Sequence, residues 1–237
     1  MNVKNLIVEL KIKILYNMDK NIWEVVMDFI KEGYKVKSAT VIKNLEKRNM
    51  EGYYFDTVEE AVEKAMSMIK QDDTVGWGGS TTIDQIGIKK LLEEKNIAVY
   101  DRDKETDPAE KVKMMKKALT SDVFLTSANA ITMDGELLNI DANGNRLAAY
   151  CYGPNSVIVV AGMNKIVTDL DIALKKARLD ATVPNTFRTN SKAPCHFTGK
   201  CIECTMSDTL CGQILITRFC KPKNRIKVIL VGENLGF

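Results

Sequence analysis

The chain has 237 residues, 45% of them hydrophobic and 27% charged. That is the composition of a folded globular protein, sized for one α/β domain or one domain with a small appendage. Its net charge of +3 is too small for a dedicated nucleic-acid surface. No apolar run reaches the roughly 18 residues of a bilayer span, because NLIVELKIKILYNM is interrupted by Glu9, Lys11 and Lys13. No small-residue cleavage signature follows it, so a cytoplasmic location is expected. There the six cysteines would be thiols or metal ligands rather than disulfides.

Residues 1–50 read as helical. Leu6, Ile7, Leu10, Ile14 and Leu15 recur at helical spacing. Asp19 or Asn21 can cap a second helix that carries Ile22, Val25, Val26, Phe29 and Ile30 and stops at Gly33. GYYFD then suggests a short strand, and Thr57-Val58-Glu59-Glu60 fits a capping box ahead of Ala61, Ala65, Met66 and Ile69. An α/β domain over 51–237 follows this helical lead-in, and it includes a cysteine-rich segment at 195–220.

Thr74 to Trp77 is a short apolar strand. Gly78 and Gly79 allow a tight turn, Ser80 and Thr81 are helix caps, and a helix is expected from Thr82 to about Lys95. Strand, glycine loop and helix start can aim free backbone N–H groups at an anion. A plain capped turn has the same pattern. Ile97–Tyr100 and Asp122–Thr126 are further strands separated by a helix over Lys111–Leu119. Helices alternating with short apolar runs predict a largely parallel sheet covered on both faces, with ligands beyond the C-terminal strand ends. Both the GGS loop and the TSANA segment would lie there.

Asp134-Gly135 and Asn143-Gly144 are hairpin-type turn signals flanking a strand through Leu137, Leu138 and Ile140. Asn155–Ala161 is the most strand-like run. Thr168 and Asp169 can cap a helix through Ile172, Ala173, Lys176 and Ala177, closed off by Pro184 and the polar stretch to Pro194. Arg225–Val231 is a final strand.

Cys195, Cys201, Cys204 and Cys211 are spaced C-x5-C-x2-C-x6-C. Closely spaced thiolates are soft ligands for zinc or an iron–sulfur cluster, although the spacing matches neither zinc-ribbon pairs nor common ferredoxin runs. The alternative is a loop of reduced cysteines. His196, the only histidine, could replace one thiol; Cys151 and Cys220 stand apart and suit burial as small apolar side chains.

Arg146 and Lys165 are the cations nearest the turn-rich stretch, and either could bind a carboxylate or phosphate, Arg146 bidentately. A small anion would be held near Gly78, Gly79, Ser80, Thr81, Asn129, Asn145, Arg146 and Lys165. Among the carboxylates in turns, Asp134 and Glu233 are candidates for acid–base or nucleophilic work, although Asp134 suits turn geometry as well. The sequence has no Ser-His-Asp arrangement, Walker-type loop or GxGxxG run.

Four stretches resemble the lactate-utilisation (LUD) domain family: GWGGSTTI, TSANAITMDGELLNIDANGNRLAAYCYGPNSVIVVAGMNKIV, APCHFTGKCIECTMSDTLC and IKVILVGENLGF. They run in order from about Tyr53 to Phe237, and the chain is similar to the stand-alone, single-domain kind. The resemblance implies the Rossmann-like fold of ribose-5-phosphate isomerases, glucosamine-6-phosphate deaminases and CoA transferases. It also implies a part in a lactate or organic-acid redox system. In that role the chain would bind a small anionic substrate and a 4Fe–4S cluster or zinc, alongside a redox partner subunit or as a homodimer. The alternatives are a transferase or isomerase acting on a phosphorylated or CoA-linked substrate, and a zinc-stabilised non-catalytic subunit.

Overall fold

The computed structural model describes the backbone of residues 3–237 and the side chains of Ile22 and of residue 25 onward. The apolar stripe from Leu6 to Leu15 lies outside the described side chains.

Helix α1 runs without a break over Val3–Lys47. Neither a cap at Asp19 or Asn21 nor a stop at Gly33 interrupts it. A glycine inside a helix costs only about 1 kcal/mol against alanine, and the position of a Cβ at Gly33 is open space. The helix ends where Asn49 turns into the left-handed region at φ 61° and Met50 N–H donates to the Leu45 carbonyl, an Asn-type C-cap. Its last turns bury Val41 and Leu45 in the core, and Met50 follows them there.

Strand β1 (Glu51–Phe55) precedes α2 (Val58–Ser67), whose capping box through Thr57 and Glu60 forms as the sequence indicates. Next come β2 (Thr74–Trp77), α3 (Thr81–Gln85), α4 (Ile88–Glu94), β3 (Ala98–Tyr100), α5 (Pro108–Ala118) and β4 (Val123–Thr126). The helix expected through Lys95 is two short helices, because Gly87 at φ 70° breaks it. Then follow β5 (Ala130–Thr132), β6 (Leu137–Asp141), α6 (Asn145–Cys151), β7 (Ser156–Gly162), β8 (Ile166–Val167), α7 (Leu170–Lys176), α8 (Thr182–Thr189), α9 (Pro194–Thr198), β9 (Gln213–Thr217) and β10 (Ile226–Val231).

Six strands form one sheet in the order β1-β10-β7-β4-β2-β3, with every pair parallel. Successive residues of β7 and β10 alternate between its faces. Val157, Val159, Val228 and Leu230 join the core beneath α1 and α6. Ile158, Val160, Ile229 and Val231 join the core beneath α2, α3 and α4. Both faces are covered, as a parallel sheet requires, and the expected α/β architecture is the one observed.

A second sheet, β8-β5-β6-β9, lies beyond the strand ends, with β5 and β6 forming an antiparallel hairpin through Asp134-Gly135. Asn143-Gly144 is not a hairpin turn: Gly144 at φ 80° starts α6. Pro184 does not end a helix either. The chain remains helical from Leu170 to Thr189 through a π-turn at Ala177–Ala181, with Pro184 in the first turn of α8. A missing N–H is tolerated there. Among the described residues no helix is long and apolar enough to cross a membrane.

Candidate functional site

Four neighbouring strands of the large sheet, β2, β4, β7 and β10, end on the same side. The loops that leave them converge on a cavity of about 80 Å³. From β2 come Gly79, Ser80, Thr81 and Thr82; from β4 come Ser127, Ala128 and Asn129; beyond β7 comes Lys165; beyond β10 come Gly236 and Phe237. Ala181, Thr182, Asn185 and Arg188 close the wall from the π-turn and α8. The GGS loop and TSANA segment therefore meet where the parallel sheet predicts. Ser80 caps α3 by accepting the Ile83 N–H at 3.4 Å. The N–H groups of Thr81 and Thr82, in the first helical turn, have no intrahelical partner by geometry.

Lys165 is 3% exposed. Burial, with Lys176 and Arg146 as neighbouring cations, pushes its amine down to about 8. Its Nζ donates to the Phe237 main-chain oxygen. The tail that carries this oxygen is pinned in place: Asn164 bonds both main-chain groups of Leu235, and Gly236 N–H donates to Gln85 Oε1 at 2.7 Å.

Arg146 lies beside the glycine loop, with its Cβ 3.3 Å from the position of a Cβ on Gly78. Its guanidinium differs from the bidentate anion clamp expected of it. NH1 donates to the Ser127 carbonyl and Asn139 Oδ1, and NH2 to Asn129 Oδ1 and the Ile140 carbonyl, at 2.6–3.0 Å. Four of its five N–H donors are thereby committed to protein, and its role is to fix the loop after β4. Asn129 is held doubly, since its Oδ1 also accepts the Ile140 N–H at 2.9 Å.

Two cations not singled out in the sequence stand at this site. A Cβ on Gly79 would lie 2.6 Å from Arg102 NH2 and 3.6 Å from both terminal nitrogens of Arg188. Arg188 Nε is bonded to Asn185 at 2.8 Å; its NH1 and NH2 donate to no acceptor among the described residues. Partial burial and the nearby Arg102 and Arg146 disfavour its charged form. Arg102 is partly occupied by Asp103 and by Met115 Sδ. Asn145, with Arg102, lines an adjoining cavity that shares Gly79, Ile140, Arg146, Asn185 and Arg188 with the first.

Asp134 and Glu233 are not among the residues lining either cavity. Asp134 is exposed in the β5–β6 turn, where its carbonyl accepts from Arg48 Nε. Glu233 is exposed and its carboxylate accepts the Val58 N–H at the start of α2. Among the described residues, the lining of the 80 Å³ cavity includes no carboxylate side chain, thiol or imidazole.

Cys195, Cys201, Cys204 and Cys211 line one separate cavity with Arg178, Thr182, Ala193, Ile202, Glu203, Thr209 and Leu210. All are free thiols, and burial pushes the Cys195 and Cys211 thiols up. His196 is not part of this lining. It stacks on Phe187 at 4.3 Å between centroids, and its Nδ1 is 3.2 Å from Thr186 Oγ1. Of the two cysteines expected to be buried, Cys220 is buried and Cys151 is exposed.

These features define an α/β protein with a cationic cavity at the C-terminal ends of a parallel sheet. Over residues 39–231 the chain matches the LUD domain, and it belongs to the LUD domain family, which is linked to lactate utilisation. No curated protein matches the chain. Among solved structures it is similar to a DUF162 family protein from Deinococcus radiodurans, at 13% identity and a TM-score of 0.46, covering 84% of this chain and 98% of that one. It is also similar to ribose 5-phosphate isomerase A from Methanocaldococcus jannaschii, at 15% identity and a TM-score of 0.30, covering 56% and 62%.

Proposed function

We propose that the chain is the anion-binding component of an organic-acid utilisation system, and that the cavity beyond β2, β4, β7 and β10 takes a small 2-hydroxy or 2-oxo carboxylate such as lactate or pyruvate. The observation that carries this reading is Lys165. A buried amine in a polar cavity, bonded to the Phe237 oxygen and with no carboxylate side chain in the lining among the described residues, carries a charge that favours an anionic partner. An anionic guest balances it. Arg188, whose two terminal nitrogens donate to no acceptor among the described residues, and the amides of Thr81 and Thr82 supply further donors.

Size points the same way. One water needs roughly 10–15 Å³ of such space, so a cavity of about 80 Å³ holds a handful of heavy atoms. That suits a three-carbon acid better than a nucleotide. The lining offers hydroxyls, amides and cations but no carboxylate to act as nucleophile, and this favours binding of an organic acid over a transferase or isomerase mechanism through Glu233 or Asp134. In this reading, redox chemistry on the bound acid is completed by a metal group or a redox partner subunit.

Calorimetry with L-lactate, pyruvate and inorganic phosphate tests the proposal. Saturable binding of a 2-hydroxy or 2-oxo acid is expected, abolished in Lys165→Met and weakened at least tenfold in Arg188→Ala. Stabilisation by sugar phosphates or CoA esters with no response to any small carboxylate would overturn it.

A further inference from the structure

We propose that the guest of the Lys165 cavity carries a second anionic group, a carboxylate or a phosphate, and that this group passes Gly79 into the adjoining cavity, where Arg102 and Arg188 hold it. This second subsite rests on the carboxylate reading above and narrows its substrate class to short 2-hydroxy or 2-oxo acids with an anionic group at each end. Lactate is the one-ended fragment of such an acid.

The two guanidiniums converge. Arg102 NH2 and both terminal nitrogens of Arg188 lie within 3.6 Å of one point, the position that a Cβ on Gly79 would take. Gly79 is not among the glycines with a positive φ. Its missing side chain therefore provides room rather than backbone freedom, and the two arginines fill that room. Like charges this close repel, and an anion between them removes the repulsion. The protein itself offers little such charge. Arg102 NH1 donates to Met115 Sδ at 3.0 Å and its Nε lies 3.6 Å from Asp103, but its NH2, the nitrogen nearest Gly79, donates to no acceptor among the described residues. Asn185 holds Arg188 through Nε at 2.8 Å and leaves both terminal nitrogens for a guest. Against the burial and the neighbouring cations that disfavour the charge on Arg188, Asp84 and Asp103 act the other way. Both of those carboxylates are drawn to the Lys89 ammonium, at 2.7 and 3.2 Å.

The adjoining cavity has the size and the wall for such a group. It measures about 220 Å³ and meets the Lys165 cavity along Gly79, Ile140, Arg146, Asn185 and Arg188, which line both. At roughly 10–15 Å³ per water-sized position, it accepts a carboxylate or a phosphate and the short chain that carries it. Asn143, Asn145 and Thr189 add amide and hydroxyl groups. Asp141, the carboxylate in this lining, is engaged at the start of α6, where it accepts the Arg146 N–H at 3.0 Å. A planar guanidinium pairs with two oxygens of one carboxylate or phosphate, so two of them facing one point can enclose the group between them.

Calorimetry on the full chain with lactate, malate and 3-phosphoglycerate, each as both enantiomers, is the test. The three share a 2-hydroxy carboxylate head; malate adds a carboxylate and 3-phosphoglycerate a phosphate. At least one of the two-ended acids is expected to bind about tenfold or more tighter than lactate, and the acid that gains more identifies the second group. Arg102 lines the adjoining cavity and not the first. Arg102→Ala should remove most of the gain, read as the ratio of two-ended acid to lactate affinity within the variant. Gly79→Ala should do the same, because its Cβ would lie 2.6 Å from Arg102 NH2 and displace it. That substitution keeps every charge, so its effect reports position rather than net charge. Lactate binding with no gain for either two-ended acid, or a gain that survives both substitutions, would overturn the second subsite and leave the carboxylate site standing. No binding of any of the three acids would overturn both.

Discussion

An amine as deeply buried as that of Lys165 ordinarily has a carboxylate beside it, and here the neighbouring charges are Lys176 and Arg146. The sign of the pH response follows. With its amine pushed down from 10.5 to about 8, the empty folded chain binds fewer protons than the unfolded chain between those values. Its stability therefore rises with pH across that window, and below about 8 the full cost of the buried charge is present. Anion affinity runs the opposite way, because the guest needs the ammonium form. It is expected to be flat below about pH 8 and to fall up to tenfold per pH unit above it; calorimetry across the window checks the affinity, and urea unfolding of the empty chain across the same window checks the stability. Arg146 is a different kind of cation. Its four hydrogen bonds hold Ser127, Asn129, Asn139 and Ile140. Arg146→Ala is expected to cost about 3 kcal/mol in urea unfolding, since acceptors would lose a charged donor. Lys165 and Arg146 were legible from their turn-rich surroundings. Arg102 and Arg188 were not, because each lies in a polar stretch with the composition of solvated surface, and only the close approach of Gly79 brings them to the site.

Among the elements, most of the parallel strands were legible because fully buried strands are continuous apolar runs. The second sheet was only partly so. Its outer strand β9, Gln213–Thr217, has an exposed side and follows directly on the cysteine segment, so nothing in its composition marked it. The two turn dipeptides show a further limit. Asp134-Gly135 and Asn143-Gly144 carry the same signal because both need a positive φ at glycine, 83° and 80°, but one joins two strands and the other starts a helix. Pro184 was misleading for a related reason: a π-turn before it removes the need for the hydrogen bond that proline cannot donate. At Gly135 the element argument can be tested. A Cβ there would lie 2.9 Å from Leu45 N and 3.0 Å from the Asn44 carbonyl carbon, in a backbone conformation that L side chains rarely adopt. Gly135→Ala is therefore expected to cost about 2 kcal/mol or more, read as a lowered urea midpoint. The last turn of α1 should be the first part to lose hydrogen-exchange protection.

For the whole molecule, the question is where the folding unit begins. Composition placed a helical lead-in over 1–50 ahead of the α/β domain, since nothing in a helical pattern says which turns of a long helix will be covered. Packing divides α1 differently. Ile22, Val25, Phe29 and Val36 are exposed, whereas Val41, Leu45 and Met50 are at most 1% exposed and sit in the same core cluster as Phe124, Val159 and Leu230. The tie is polar as well: Asn44 Nδ2 donates to the Met133 carbonyl, and Arg48 bonds the Asp134 and Arg218 carbonyls and pairs with Glu136 at 3.5 Å. Emptying the space of one buried Leu or Met costs about 2–5 kcal/mol, and a domain of this kind has only about 5–15 kcal/mol in hand. A chain that starts at residue 51 loses Val41, Leu45 and Met50 together and leaves the edge strand β1 uncovered on one face. It is expected to be unfolded or aggregated. A chain that starts at residue 31 keeps those three residues and Tyr34, which packs against the same cluster, and is expected to melt within a few degrees of the full chain. Parallel melting curves decide the matter, and equal stability of the residue-51 and residue-31 chains would show that the helix end is not part of the fold it touches.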